Sequence, residues 1–71
     1  MATAVEAQVT GTVLMIEKRQ GDALAEGDVI IILESMKMEI PVEAPCAGTL
    51  VEIRVDEGES VEEGAILAVI E

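Results

Sequence analysis

Shifted by 37 positions, the chain falls on itself without a gap. Glu6-Ala7 meets Glu43-Ala44, Gly11-Thr12 meets Gly48-Thr49, and Ile16 meets Ile53. Gly21 meets Gly58, Glu26-Gly27 meets Glu63-Gly64, and Glu34 meets Glu71. All six glycines fall into three matched pairs. Glycine marks places where the backbone needs freedom that other residues lack, so paired glycines mean paired turns. The chain is two copies of one unit, residues 6–34 and 43–71, within a single domain spanning 1–71.

Each unit reads as short strands. In the first, a strand covers Val5 to Val9, followed by a turn or bulge at Gly11. A longer strand runs from Thr12 to about Lys18, then a turn through Gln20-Gly21. A brief extended piece, Asp22 to Leu24, meets a turn at Glu26-Gly27-Asp28, and the apolar run Val29 to Leu33 closes the unit. In the second unit Val51, Ile53 and Val55 alternate with Glu52, Arg54 and Asp56, which puts the first set inside and the second outside. By the repeat, Leu14 and Ile16 also point inward. Lys18 stands where the second copy has Val55, so that strand end is expected to fray into solvent. Eight short strands with turn signals and no helical period predict an all-β sandwich or flattened barrel with pseudo-two-fold symmetry. Neither copy has enough apolar area to fold alone, so each completes the core of the other.

Residues 35–42 have no counterpart, because they join the copies. They contain Lys37 between Met36 and Met38, with Glu34 and Glu39 outside. The pattern is strand, tight turn, strand, with Lys37 at the tip. The symmetry places the chain termini at the other end of the domain.

Composition narrows the function. With 15 acidic residues, 4 basic ones and a net charge of −11, the chain lacks the cationic cluster that nucleic acid or an anionic membrane surface requires. It has no aromatic residue to stack on bases and no run of ~18 apolar residues to cross a membrane. The acidity suits solubility and partners with basic surfaces. There is no histidine for general-base work, and Ser35 and Ser60 have no base partner. Cys46 is alone, without a neighbouring cation, and reads as a small buried residue. Metal-ligand spacings are absent. A lone cysteine and the lack of a signal segment predict a reducing, cytoplasmic setting. Lys37 remains as the seat of chemistry. It is one of two lysines, flanked by two large apolar residues in a turn where Asn, Asp or Gly is usual. An amine is nucleophilic once deprotonated, and an enzyme acting on Lys37 would supply the base.

Glu34-Ser35-Met36-Lys37-Met38-Glu39 resembles the attachment motif of biotin carboxyl carrier domains, the biotinyl members of the biotinyl/lipoyl family. The duplicated unit with its glycine turns extends the resemblance over nearly the whole chain. The resemblance implies a flattened barrel of two four-stranded antiparallel sheets. It implies biotin in amide linkage to Lys37, attached by a biotin protein ligase through a biotinyl-adenylate. The domain would then ferry carboxylate from a biotin carboxylase to a carboxyltransferase acting on an acyl-CoA or keto acid. Met36 and Met38 would shape recognition of the tip and assist transfer, and Glu34 matches the family's acidic residue three before the lysine. The chain departs from the pattern at Gln8, where members often have Pro, and lacks the thumb insertion of some acetyl-CoA carboxylase carriers. It is similar in extent to the small stand-alone biotinylated proteins of bacteria. Two alternatives stand beside this reading. A lipoyl, or dual biotin/lipoyl, carrier is the first; lipoyl members typically show Asp-Lys-Ala at the tip, so Met36 and Met38 would replace both neighbours. An unmodified interaction module would use the tip as a docking knob, with Val13 and Met15 as an exposed contact patch.

Overall fold

The computed structural model describes all 71 residues and contains eight strands and no helix. They are β1 (Thr3–Glu6), β2 (Gly11–Ile16), β3 (Ala23–Leu24), β4 (Val29–Ser35), β5 (Met38–Glu43), β6 (Gly48–Ile53), β7 (Ser60–Val61) and β8 (Ile66–Ile70). Two four-stranded antiparallel sheets face each other, ordered β1-β8-β6-β3 and β5-β4-β2-β7. Strands β1–β4 belong to the first copy and β5–β8 to the second, so the repeat reaches further than the sequence suggested: residues 40–42, expected to have no counterpart, are the equivalents of 3–5 in β1. Each sheet therefore takes two strands from each copy. The copies are interlocked rather than set side by side.

The locking bonds come in symmetric pairs. Ala7 N–H donates to Ala65 C=O, and Ala44 N–H to Asp28 C=O, both at 2.8 Å. Gly64 N–H donates to Ala7 C=O at 2.8 Å and Gly27 N–H to Ala44 C=O at 2.9 Å. Gly21 N–H reaches Leu50 C=O at 2.6 Å, and Gly58 N–H reaches Val13 C=O at 2.7 Å. Side chains repeat the scheme, with Gln20 Oε1 accepting from Ile53 N–H (3.1 Å) and Glu57 Oε2 from Ile16 N–H (3.0 Å). Every one of these bonds crosses from one copy to the other.

The core obeys the same symmetry. Its fifteen buried residues are seven equivalent pairs, such as Val13/Leu50, Ile30/Leu67 and Leu33/Ile70, plus Val55. The unpaired member is the one the sequence singled out, since Lys18 occupies the position equivalent to Val55. Lys18 is half-buried rather than frayed, and Glu17 N–H before it still bonds Ile30 C=O at 2.8 Å.

Several strand details differ from the sequence expectation. β1 lies at Thr3–Glu6, earlier than Val5–Val9, because its partner β8 runs out at Ile66 opposite Glu6. β2 stops at Ile16 instead of Lys18. Leu14 and Val51 do not point inward: they are 39% and 41% exposed. Each is the extra residue of a β-bulge, skipped in the pairings Val13↔Leu33, Met15↔Ile32 and Leu50↔Ile70, Glu52↔Val69. A bulge reverses the in-out alternation on either side of it, so Val13 is buried and only Met15 of that proposed patch is exposed. A second symmetric pair of bulges skips Ile30 and Leu67, which buries two consecutive residues in each of β4 and β8.

The glycines divide by job. Gly21, Gly27, Gly58 and Gly64 sit at positive φ in turns. Gly11 does not; there a Cβ would lie 2.5 Å from the Glu34 carbonyl oxygen, and at Gly48 it would lie 2.7 Å from that of Glu71. These are close backbone approaches, not turns.

Two measurements test this account. Gly11→Ala should cost about 2–3 kcal/mol in urea unfolding, because backbone must move, against about 1 kcal/mol for Gly58→Ala, where only the positive φ objects. Lys18→Val should instead stabilise by about 1 kcal/mol by completing the eighth core pair, raising Tm by a few degrees.

Candidate functional site

The hairpin of β4 and β5 carries the residues that the sequence set apart. Val29–Leu33 is apolar throughout because β4 is the second strand of its sheet and supplies Ile30, Ile31 and Leu33 to the core. Pairing with β5 continues through Leu33↔Ile40, Glu34↔Glu39 and Ser35↔Met38, leaving only Met36 and Lys37 to reverse the chain. A two-residue hairpin loop fits the twist of its strands when both central residues have positive φ, the type I′ turn. Met36 and Lys37 have φ of 52° and 65°, and they are the only non-glycine residues at positive φ. Each side chain there costs roughly 1–2 kcal/mol relative to glycine. The sheet imposes the turn on residues that do not favour it.

The base of the hairpin is anchored. Ser35 Oγ donates to Thr10 C=O at 2.9 Å, and Thr10 Oγ1 accepts from Glu63 N–H at 3.1 Å. Gly11, the first residue of β2, itself lies against the Glu34 carbonyl. The counterpart of Thr10 in the second copy is Ala47, which has no hydroxyl, so this side-chain latch exists at the hairpin end alone. Above the anchor the tip is free. Met36 is 89% exposed, Met38 60%, and Lys37 is exposed. Lys37 makes no ion pair; the single ion pair of the molecule joins Arg54 to Glu52 at 3.1 Å. Glu34 and Glu39 are exposed and directly opposite each other, a like-charge cross-strand pair that disfavours the hairpin.

The geometry brings Glu34, Met36, Lys37 and Met38 together at the end of the β4–β5 hairpin. It adds Thr10 and Gly11, which lie outside the motif, and shows Ser35 of the motif bonded to Thr10. The Thr10/Ala47 mismatch between the copies was the available signal. Cys46 lies away from the tip, half-buried against the core.

Chemically, the site offers one primary amine, unpaired and held on a rigid base, that can become an amide. The hairpin holds no histidine, cysteine or second lysine. No pocket surrounds the amine either. The open groove of about 480 Å3 in the molecule lies lower, between the edge strands β1 and β5, lined by Val5, Glu6, Leu33, Ile40, Val42 and Glu43 among others.

Comparison with known proteins agrees with this geometry. Residues 1–70 match the biotin/lipoyl family described as biotin-requiring enzyme. The biotinylated protein TB7.3 of Mycobacterium tuberculosis and the TB7.3 homologue of Mycolicibacterium smegmatis are each 50% identical over 42 residues, which is 59% of this chain and 59% of theirs. The chain thus aligns with somewhat over half the length of these curated relatives. Among solved structures, Kluyveromyces lactis urea carboxylase superposes with a TM-score of 0.96 at 34% identity, over 100% of this chain and 6% of that one. A single-chain, multi-domain long-chain acyl-CoA carboxylase gives 0.90 at 34% identity, over 96% and 7%. The chain belongs to the biotin/lipoyl family described as biotin-requiring enzyme.

Proposed function

We propose that this domain holds biotin in amide linkage on Lys37 and ferries carboxylate between a biotin carboxylase and a carboxyltransferase acting on an acyl-CoA or keto acid. The observation that carries the proposal is the strained two-residue turn, which spends backbone stability to present one unpaired lysine at an exposed tip. The relatives named biotinylated proteins and the carboxylases that share the fold support it.

In the loading step a biotin protein ligase brings an activated biotinyl-adenylate to the tip. Lys37 Nζ attacks the carbonyl carbon and the C–N amide bond forms. The carbonyl-to-phosphate bond breaks, adenylate leaves, and the amine proton passes to a base of the ligase. When bound, biotin supplies a ring nitrogen that accepts and gives up carboxylate. This chain's residues position that chemistry without performing it, so the domain is a carrier and not an enzyme in its own right. The latch of Ser35 and Thr10 fixes the hairpin base. The exposed thioethers of Met36 and Met38 give an adaptable apolar collar that fits more than one partner site. Glu34 offers its carboxylate to partner cations. Tethering makes delivery intramolecular, with an effective concentration on the order of mM. We place the domain in the cytoplasm, where Cys46 stays a free thiol, and assign it neither nucleic-acid nor membrane partners.

Intact mass of the protein from its own host tests the reading. A biotin-sized increment that disappears in Lys37→Arg is expected; an unmodified or lipoate-sized mass in the wild type overturns it. Lys37→Gly should abolish labelling and yet raise unfolding stability by about 1 kcal/mol, since glycine relieves the positive φ. A Lys37→Gly variant less stable than wild type would show that the turn is not strained.

A further inference from the structure

A duplicated fold has two equivalent outer sheet faces, and here they are not equivalent. On the sheet β5-β4-β2-β7, register places Met15 beside Ile32 and Ile32 beside Pro41. These three, with the bulged Leu14, form an outward apolar row across three strands. Leu14 is 39% and Met15 45% exposed, Ile32 is partly exposed and Pro41 exposed. The equivalent row on the other sheet is Val51, Glu52, Val69 and Ala4, again joined by pairing. At each of the four positions the hairpin-bearing sheet has the bulkier apolar residue. The largest difference is Met15 against Glu52, whose carboxylate pairs with Arg54 at 3.1 Å. The core did not require this, because its buried pairs are symmetric.

The row continues into the hairpin. Two pairs nearer the tip, and so on the same face, Glu34 and Glu39 stand opposite each other with no ion pair to a cation. Like charges so placed are tolerated where a partner's cations relieve them. The surface is therefore an apolar strip, then an acidic rung, then Lys37, all on one sheet.

We infer that this face is the docking surface for the biotin protein ligase, which meets it with an apolar patch and a rim of Lys or Arg. The inference rests on Lys37 being the acylated residue. Reach selects the ligase among the partners. Its active site must hold the lysine amine itself, which stands only about 6 Å from the Lys37 Cα. Walls that enclose the tip so closely run alongside β4 and β5, and the Ile32↔Pro41 rung lies roughly 10 Å below Ser35↔Met38. The carboxylase and carboxyltransferase act at the far end of the biotin arm and need not touch the sheet.

The test uses the unmodified full chain, its host's biotin protein ligase, ATP and biotin, with KM and kcat measured for the domain. Met15→Glu copies the residue the fold already accepts at Glu52. It should raise KM about tenfold with kcat little changed, and should leave Tm close to wild type. The mirror variant Glu52→Met should leave KM unchanged. Should Met15→Glu fold poorly, Ile32→Val with Pro41→Ala, copying Val69 and Ala4, should also raise KM. An unchanged KM in these variants, or an equal shift in Glu52→Met, overturns the proposal while labelling of Lys37 stands. A KM rise for biotin carboxylase acting on the biotinylated domain, without one for the ligase, overturns the choice of occupant. If the wild-type chain is not labelled at all, the reading of Lys37 falls and this one with it.

Discussion

The structure depends on an exchange of strands between two copies of one unit. Strands β2 and β4 of the first copy are flanked by β5 and β7 of the second, and the reverse holds in the other sheet. The turn glycines then donate their N–H groups across the copies, so even the turns are held by the partner unit. A chain of 71 residues without an aromatic side chain has little apolar area to bury. Interlocking answers that shortage, because each copy supplies half of every layer and neither sheet exists until both are in place. It also leaves only the two-residue turn between β4 and β5, Met36 and Lys37, outside the pairing, and that turn became the site.

Rigidity below and strain above define the hairpin. The long β4–β5 ladder fixes where the chain must reverse, so Met36 and Lys37 take positive φ that their side chains disfavour. Ser35, Thr10 and the bare backbone of Gly11 hold the base against relaxation. The lysine gains a defined direction without gaining a pocket. That suits the role proposed for Lys37, in which its attached group enters the sites of other proteins.

Symmetry makes departures from it informative. Val55 against Lys18 is a core vacancy without a chemical consequence, whereas Thr10 against Ala47 and Met15 against Glu52 both fall on the side that carries Lys37. A repeat thus acts as an internal control: where two copies share a packing problem and solve it differently, something other than packing made the choice.

Much was legible from the residues alone. The 37-residue shift revealed two copies, their turns and the single unduplicated joint, and elimination of every other reactive constellation left Lys37. Glycine and charge patterns are local, and local patterns survive in sequence. The in-out assignment of Leu14, Val51 and Val13 was not legible, because a bulge shifts register by one residue without changing composition. Nor was the reason for Gly11, which answers to a carbonyl 23 positions away (Glu34) and not to a turn. The sequence by itself determined that the chain is a duplicated β unit presenting one lysine. Only the tertiary structure decided which strands share a sheet, which face looks outward and why that turn is strained, because those follow from pairings between residues far apart in the chain.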